Sequence, residues 1–293
     1  AELHGDDKAA ETFFRSMLEH PETEFMGTRG LLDNALRRGD TGEAKKLVER
    51  AYRLRPETPW VIKAQLDIHI GDGKWSEALA TLRQAAGQRV LEVDEIERKR
   101  AALLLERAKA SLAEGDRDRA MEDAKRAYEA DPALSPAAAL YARRLLEDGK
   151  DRRARKLLEE AYRRTPRGDL AEAWAELAGS SSAQEKARHM FKLVEWKPDH
   201  PGALAALAEA EINAGQFSDA KKHLEHAIGK RASRRLYRLM ADLEQASTGD
   251  GEAARAWLNE AAEAPEDPSW RCDSCGTPHR GWGAVCPNCR SFE

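Results

Sequence analysis

Residues 141–166 read YARRLLEDGKDRRARKLLEEAYRRTP, and this stretch decides the fold. Its second half carries Ala154, Leu158 and Ala161, which recur at i, i+4 and i+7. That spacing places the three side chains on one face of a helix. Gly149 precedes this helix, where a residue that tolerates a positive φ ends the helix before it. The stretch therefore predicts two helices joined by a tight turn, and its closing proline marks the end of the second helix.

The same arrangement recurs along the chain. The alanine that opens the second helix occurs seven times, at successive separations of 34, 42, 34, 33, 33 and 34 residues: Ala44, Ala78, Ala120, Ala154, Ala187, Ala220 and Ala254. A helix–turn–helix unit with a period of 34 residues is typical of the tetratricopeptide repeat, in which each pair buries its apolar face against its neighbours. We therefore expect an all-α, right-handed solenoid of about seven tetratricopeptide-like helix pairs.

The pairs are expected to begin near residues 25, 58, 92, 135, 168, 201 and 233, and the separation of 42 indicates an insertion around Gln88–Glu97. Before them, Lys8–Glu19 has the register of a second helix from a truncated unit that spans residues 1–22. Because the chain starts within a repeat and without Met, we expect a fragment trimmed at its N-terminus. Four apolar side chains of this helix are expected to cover the first pair: Phe13, Phe14, Met17 and Leu18.

Composition narrows the classes of function. Charged residues make up 34% of the chain and aromatic residues 6%, and 48 basic against 52 acidic side chains give a net charge of −4. A dedicated nucleic-acid-binding protein is normally basic, so we expect no nucleic-acid partner. No stretch approaches the roughly 18–20 apolar residues of a membrane helix. The dinucleotide, P-loop, zinc-protease and serine-hydrolase motifs do not occur in the sequence, so we do not expect an enzyme.

A concave groove lined by the first helices is where such arrays hold a peptide or a partner protein. By repeat register, the candidate partner-binding residues of this groove are Arg29, Asp33, Arg37, Trp60, Lys63, Asp67, Lys109 and Arg143. Further along, the same register reaches Glu172, Glu176, Glu209 and Asn213, so the N-terminal half of the groove is the more basic. The alternative interpretation is that these side chains are solvated faces of charged helices.

The chain ends in two C-x2-C pairs. Ten residues separate the pairs, and the four cysteines of the chain all belong to them: Cys272, Cys275, Cys286 and Cys289. Two such turns, each with two thiolates on one side, complete a tetrahedral four-sulfur site. The sequence therefore predicts a small zinc-ribbon or rubredoxin-like knuckle that binds zinc as a structural ion, with iron as the alternative metal. Trp270 and Trp282 flank the site and are expected to pin the knuckle against the last helix pair, where Trp257 and Leu258 offer apolar surface.

These expectations divide the chain into a repeat domain at residues 1–265 and a four-cysteine knuckle at residues 266–293.

The chain resembles the HemY-type tetratricopeptide proteins of bacterial haem biosynthesis, in the form with a C-terminal four-cysteine knuckle. Residues 24–40, EFMGTRGLLDNALRRGD, resemble the best-marked segment of that family, with its F-x-G-x-R-G core. Pro59-Trp60, Trp257-Leu258 and the position of Trp282 four residues before Cys286 also match. The chain differs in stopping just after Phe292, where members usually continue briefly, and in showing no membrane anchors.

This resemblance implies an inner-membrane protein of a bacterium whose repeats face the cytoplasm and whose N-terminal anchors are absent from this sequence. Its implied role is to organise enzymes or intermediates of haem and tetrapyrrole synthesis, with direct binding of haem or a porphyrin as a further possibility. A second family shares the design: membrane-anchored tetratricopeptide adaptors that regulate lipopolysaccharide assembly by presenting an enzyme to a protease, and that end in a similar knuckle. The F-x-G-x-R-G segment favours the first family, and the cysteine spacing does not discriminate between them.

Overall fold

The computed structural model describes residues 7–292 of the chain. This part contains fifteen helices followed by two short strands. Helix α1 spans Asp7–Met17, and seven helix pairs follow it. Their first helices are α2 Glu24–Arg37, α4 Pro59–Gly71, α6 Val93–Ala113, α8 Ser135–Glu147, α10 Gly168–Glu176, α12 Pro201–Asn213 and α14 Arg234–Ser247. Their second helices are α3 Thr41–Leu54, α5 Trp75–Gly87, α7 Arg117–Ala130, α9 Asp151–Arg164, α11 Ala183–Trp196, α13 Phe217–Arg231 and α15 Gly251–Glu263.

The seven pairs confirm the predicted repeat, since every first helix begins within one residue of its expected position. The strands, β1 Trp270–Arg271 and β2 Pro278–His279, lie at the cysteines and pair antiparallel. Within the described residues, no helix has both the length and the apolar character needed to cross a bilayer.

The chain divides into two compact units. The first comprises Ala1–Arg107 together with Gly283–Glu293, and the second comprises Ala108–Trp282. In the second unit the first helices α8, α10, α12 and α14 contact one another in succession. The division into residues 1–265 and 266–293 stays a prediction, and residues 1–6 and 293 lie outside the described part of the chain.

The repeating alanines explain how the helices approach so closely. All seven are buried, each within a second helix: Ala44, Ala78, Ala120, Ala154, Ala187, Ala220 and Ala254. A methyl side chain lets two helix backbones come near without a void, so the core can be close-packed with few aromatic residues. The largest fully buried side chain is Trp174 in α10, which is 2% exposed and lies in the core of the second unit.

Two adjacent residues form the turn between the helices of a pair, as Gly115 and Asp116 show. Gly115 adopts a φ of 83°, a left-handed conformation that an L-residue reaches only at a cost, and it ends α6. The next residue, Asp116, accepts a hydrogen bond from the backbone N–H of Arg119 at 3.0 Å and so caps α7. One residue therefore stops the first helix, and its neighbour starts the second.

The predicted insertion lengthens the first helix of the third pair. Helix α6 has 21 residues, whereas α4, α8 and α12 have 13 each. The surplus of eight equals the difference between the repeat separations of 42 and 34 residues. Gln88–Glu92 lies outside a helix and the rest of the expected insertion around Gln88–Glu97 belongs to the start of α6.

Helix α1 covers the first pair, but only one of its two adjacent phenylalanines takes part. Phe14 packs against the apolar core of the first unit, whereas Phe13 is 63% exposed. Adjacent residues of a helix point about 100° apart, so both rings cannot face the same neighbour. An added Cβ at Gly30 would lie 2.5 Å from the Phe14 ring, and one at Gly27 would lie 2.7 Å from the Phe14 carbonyl oxygen. The two glycines of the F-x-G-x-R-G segment therefore let α1 approach α2.

Candidate functional site

The four cysteines meet at one place. Their four Sγ atoms all lie within 4.8 Å of one another: Cys272, Cys275, Cys286 and Cys289. Cys272 and Cys286 are buried, and Cys275 and Cys289 are exposed. The Cys275 thiol donates a hydrogen bond to Thr277 Oγ1 at 3.1 Å. The predicted cluster is therefore confirmed as a cluster of side chains.

Two hairpins of the same design carry the sulfur atoms. In the first, the Cys272 N–H donates to the Thr277 carbonyl at 3.1 Å, and the Gly276 N–H donates to the Cys272 carbonyl at 2.8 Å. In the second, the Cys286 N–H donates to the Ser291 carbonyl at 2.9 Å, and the Arg290 N–H donates to the Cys286 carbonyl at 2.8 Å. Every partner in the second hairpin is found 14 residues after its counterpart in the first.

The strand pairing follows the same offset. Arg271 faces Pro278 in the first hairpin, and Val285 faces Phe292 in the second. The position after each second cysteine is left-handed in both, with φ values of 70° at Gly276 and 59° at Arg290. Glycine adopts this conformation readily, whereas arginine does so at a cost of about 1–2 kcal/mol. The second hairpin is therefore the more strained copy.

The knuckle tryptophans contact the first helices of earlier pairs, not the last pair. Trp270 lies under the guanidinium of Arg167, with Cζ 4.3 Å from the ring centroid. Lys109 Nζ lies 4.9 Å from the ring centroid of Trp282. Arg167 immediately precedes α10, and Lys109 belongs to α6.

The expected docking on Trp257 and Leu258 is therefore wrong. Trp257 stacks on Tyr237 with ring centroids 6.1 Å apart, and Leu258 is 49% exposed. The physical reason is that Tyr237, in the preceding helix of the same pair, already covers the Trp257 ring.

Two candidate groove residues of the first unit form part of a stack of four side chains. Arg29 Cζ lies 5.7 Å from the centroid of the Trp60 ring, and the ring centroids of Trp60 and Phe25 are 5.1 Å apart. On the other side of the stack, Arg55 Cζ lies 4.7 Å from the centroid of the Phe25 ring. Arg29 is exposed and Trp60 is half-buried, so one face of this stack is open to solvent. Sequence reasoning missed Phe25 and Arg55, which lie outside the register positions used for the groove.

The other candidates of the first unit are also accessible. Asp33, Arg37, Lys63 and Asp67 are exposed, and Arg37 donates a hydrogen bond to the buried side chain of Asn34. Although part of the Asp67 side chain is exposed, neighbouring side chains desolvate its carboxyl and raise its pKa, and Lys99 and Lys63 partly oppose that change. Lys99 Nζ lies 5.3 Å from the ring centroid of Phe292, so Phe292, near the end of the chain, lies beside Lys99.

Two acidic residues at the later register positions, Glu176 and Glu209, form ion pairs. Arg143 Nη2 lies 2.8 Å from Glu176 Oε1, and this contact raises the pKa of the Arg143 guanidinium. Arg235 and Glu209 form a second pair at 2.8 Å. Arg143, a candidate for partner binding, is thus already engaged by the next first helix.

Comparison with known proteins finds a match to a repeat family in one segment of the chain. A family model described as tetratricopeptide repeat matches residues 183–243, which run from α11 into α14. The probable magnetosome protein Mms48 of Magnetospirillum gryphiswaldense is 27% identical over 176 residues, 60% of this chain and 39% of that protein. The matched stretch thus spans about two fifths of that relative's length.

Solved structures of repeat proteins are similar at low identity. A tetratricopeptide repeat protein from Parabacteroides merdae is 16% identical, with 86% of this chain and 93% of that chain covered and a TM-score of 0.39. The thermophilic repeat protein TTC0263 from Thermus thermophilus is 20% identical, with 56% and 91% covered and a TM-score of 0.38. MamA from Desulfovibrio magneticus is 12% identical, with 56% and 94% covered and a TM-score of 0.35.

The helix pairs and the matched segment together establish the class of molecule. The described part of the chain consists of helix pairs, matches the tetratricopeptide repeat model over residues 183–243 and ends in a cluster of four cysteines.

Proposed function

We propose that this chain is a non-enzymatic protein-interaction scaffold that holds one structural zinc ion between its two C-terminal hairpins. The observation that supports the metal is the set of four sulfurs within 4.8 Å. A tetrahedral ion with Zn–S bonds of about 2.3 Å needs sulfurs about 3.8 Å apart, so a contraction of about 1 Å at most completes the site. Four thiolates leave no open coordination position, which suits a structural ion and not a catalytic one.

Zinc is proposed over iron because two of the ligands are open to solvent. Cys275 and Cys289 are exposed, and the hairpins that carry them have only two-residue strands and a single bridge. Zinc has no redox chemistry and tolerates such exposure, whereas four-sulfur iron sites are tuned by the shell around the sulfurs.

The scaffold role is supported by exposed cations that lie beside a half-buried aromatic ring on the first helices of the first unit. Arg29 and Lys63 are exposed cations on successive first helices, and Trp60 lies on the same helix as Lys63. An aromatic ring among cations suits a peptide segment that carries carboxylates. In the second unit the corresponding acidic side chains Glu176 and Glu209 are already paired. We therefore place partner binding on the first-helix face of the first unit.

The pathway and the location rest on the sequence resemblance alone. We propose that the partners are enzymes of haem or tetrapyrrole synthesis and that the chain lies on the cytoplasmic side of a bacterial inner membrane. Gly27 and Gly30 have a packing role in this structure, so the F-x-G-x-R-G segment supports a shared fold more directly than a shared partner. An adaptor for lipopolysaccharide assembly stays the alternative, and binding of haem or a porphyrin is a separate proposal that an absorbance titration tests.

Metal analysis and affinity capture test the proposal. The freshly purified, reduced protein should contain about one colourless zinc ion per chain. Absence of metal would contradict the zinc site, and a red chromophore would indicate iron instead.

For the partner surface, the full-length protein is used as bait beside its Arg29→Glu/Lys63→Glu variant. A matched control, Lys46→Glu/Arg53→Glu, makes the same charge change on exposed positions of α3. The first variant should lose tetrapyrrole-pathway enzymes and the control should retain them. Equal capture by all three proteins would exclude this face.

A further inference from the structure

The chain after α15 returns along the first helices of the second unit. The Pro265 carbonyl accepts a hydrogen bond from the Arg234 N–H at 2.9 Å, and the Asp267 carboxylate accepts one from the Arg235 N–H at 3.0 Å. These two contacts fix the start of the segment at the N-terminus of α14. The segment therefore leaves α15 already attached to the repeats.

Two tryptophans continue the path toward earlier pairs. Trp270 meets Arg167 at the start of α10, at 4.3 Å, and Trp282 meets Lys109 of α6, at 4.9 Å. The contacts thus pass from α14 to α10 and then to α6, each a first helix or the residue next to one. These helices carry the face that repeat register assigns to partners, and Lys109 was itself one of the candidates. Part of the partner face is therefore occupied by the protein's own C-terminal segment.

The hairpins have little stability of their own. Strands β1 and β2 have two residues each, and isolated hairpins are marginal in water even when longer. Small four-thiolate modules fold when the metal binds, because the binding free energy is their folding free energy. A single cation–π contact shifts an equilibrium only about two- to fivefold at an exposed site, so two such contacts cannot hold an unfolded segment in place.

We propose that residues 265–282 are an intramolecular ligand of the first-helix face in the second unit, and that metal bound by the four thiolates keeps this ligand folded and seated. Lys109 and Arg167 are exposed even with the segment in place, so loss of the metal frees them from the two indoles, and a partner segment that carries tryptophan or another aromatic residue can replace those rings. This inference rests on the proposed zinc site and adds to it a control of access to the scaffold.

The test measures how fast Lys109 is acylated in the full chain. Lysine reactivity toward a water-soluble acylating reagent is read by mass spectrometry, with and without a zinc chelator under reducing conditions. Lys186 of α11, which is exposed like Lys109, serves as the internal control for a lysine outside the Trp282 contact. We expect chelation to raise the rate at Lys109 at least threefold and to leave the rate at Lys186 unchanged.

A variant separates release of the segment from loss of metal. Trp270→Ala/Trp282→Ala keeps all four cysteines, so it should retain about one zinc per chain. Its Lys109 should nevertheless be acylated by the reagent as fast as Lys109 of the chelator-treated wild type. If the wild type binds zinc but the rate at Lys109 is the same with and without chelator, the intramolecular ligand is excluded and the zinc site stands. If the reduced wild type binds no zinc, the proposed zinc site itself fails. If the variant binds zinc and its Lys109 stays as slow as in the zinc-loaded wild type, the two tryptophans do not seat the segment, which also overturns the proposal.

Discussion

The imidazole of His189 lies flat against the indole of Trp174, with ring centroids 4.4 Å apart and the planes 8° from parallel. Trp174 Nε1 donates a hydrogen bond to the His189 carbonyl at 3.0 Å, and His189 Nε2 donates one to the Trp174 carbonyl at 2.7 Å. The two residues belong to α10 and α11, so this reciprocal contact joins the helices of the fifth pair. Because α10 has only 9 residues, this contact compensates for the short length of the helix in holding the pair together.

The burial of His189 is expected to make the second unit sensitive to acid. Burial lowers the pKa of His189, the hydrogen bond to Trp174 opposes this, and Arg155 adds to it. Above the usual histidine pKa of about 6.5 the ring is neutral in the folded and unfolded states alike. Below it, the unfolded chain binds a proton that the folded chain resists, so the free energy of unfolding falls as the pH drops.

We expect His189→Phe to reduce this loss of stability between pH 7.5 and 5.5, because phenylalanine keeps the stacking and cannot be protonated. Urea unfolding at the two pH values measures the difference. His226→Phe is the matched control, since His226 is exposed on α13. The explanation is refuted if His189→Phe has the same pH dependence as the wild type. Burial also lowers the pKa values of His69 and His200, so part of the pH dependence should persist.

Gly30→Ala should weaken the attachment of α1. The new Cβ would lie 2.5 Å from the Phe14 ring, and overpacking of this kind typically costs about 1–3 kcal/mol. Hydrogen exchange of the α1 amides measures the effect locally, and Phe14→Ala in the same chain should restore part of the protection. Gly229→Ala provides the contrast, because nothing lies within 4 Å of that helical position and alanine should stabilise it by about 0.5–1 kcal/mol. Unchanged exchange in Gly30→Ala would show that the helices move apart without cost.

Arg290→Gly should strengthen metal retention. Arg290 has a φ of 59° where the first hairpin has Gly276, so glycine removes a strained conformation. We expect a gain of about 1 kcal/mol, or about fivefold slower zinc transfer to a competing chelator. Gly276→Ala imposes the strain on the other hairpin and should accelerate transfer by a similar factor. The same rate in both variants would show that the turn conformation does not limit metal binding.

Cys272→Ser should abolish stoichiometric zinc binding and leave the helices intact. Repeats stabilise one another through contacts between neighbouring pairs, so damage after α15 need not spread along the array. Circular dichroism should retain nearly all of its helical signal while the zinc content falls from about one to near zero. Ser274→Ala, between the same two cysteines, should keep the metal. A global loss of helicity in Cys272→Ser would show that the hairpins are integral to the repeats.

The repeat could be predicted because its signals are local. The helix-ending glycine at 115 and the buried alanine at 120 act within one helix pair, and their periodicity fixes the register of every other pair. The cysteine cluster was predictable for the same reason, since four ligands lie within 18 residues. The sequence could not show that Phe14 is packed and Phe13 exposed, because both rings are apolar and only the direction of the neighbouring helix selects one.

The seating of the knuckle could not be predicted because it depends on distant residues. Arg167 and Trp270 are about a hundred residues apart, and Lys109 and Trp282 are further still. Arginine and lysine are common on these helices, so nothing marks the two that face an indole. Trp257 and Leu258 were plausible partners by proximity in sequence, but Tyr237 already covers Trp257.

The offset of 14 residues between the hairpins has a consequence for how the proposed metal site would assemble. Each hairpin supplies two thiolates, too few to enclose a tetrahedral ion, so either one alone is an open chelate. The site is in effect an internal dimer of half-sites, tethered by residues 280–284. A tether this short gives one half a high effective concentration at the other, and closing the coordination sphere becomes a first-order step that does not depend on how much protein the cell contains.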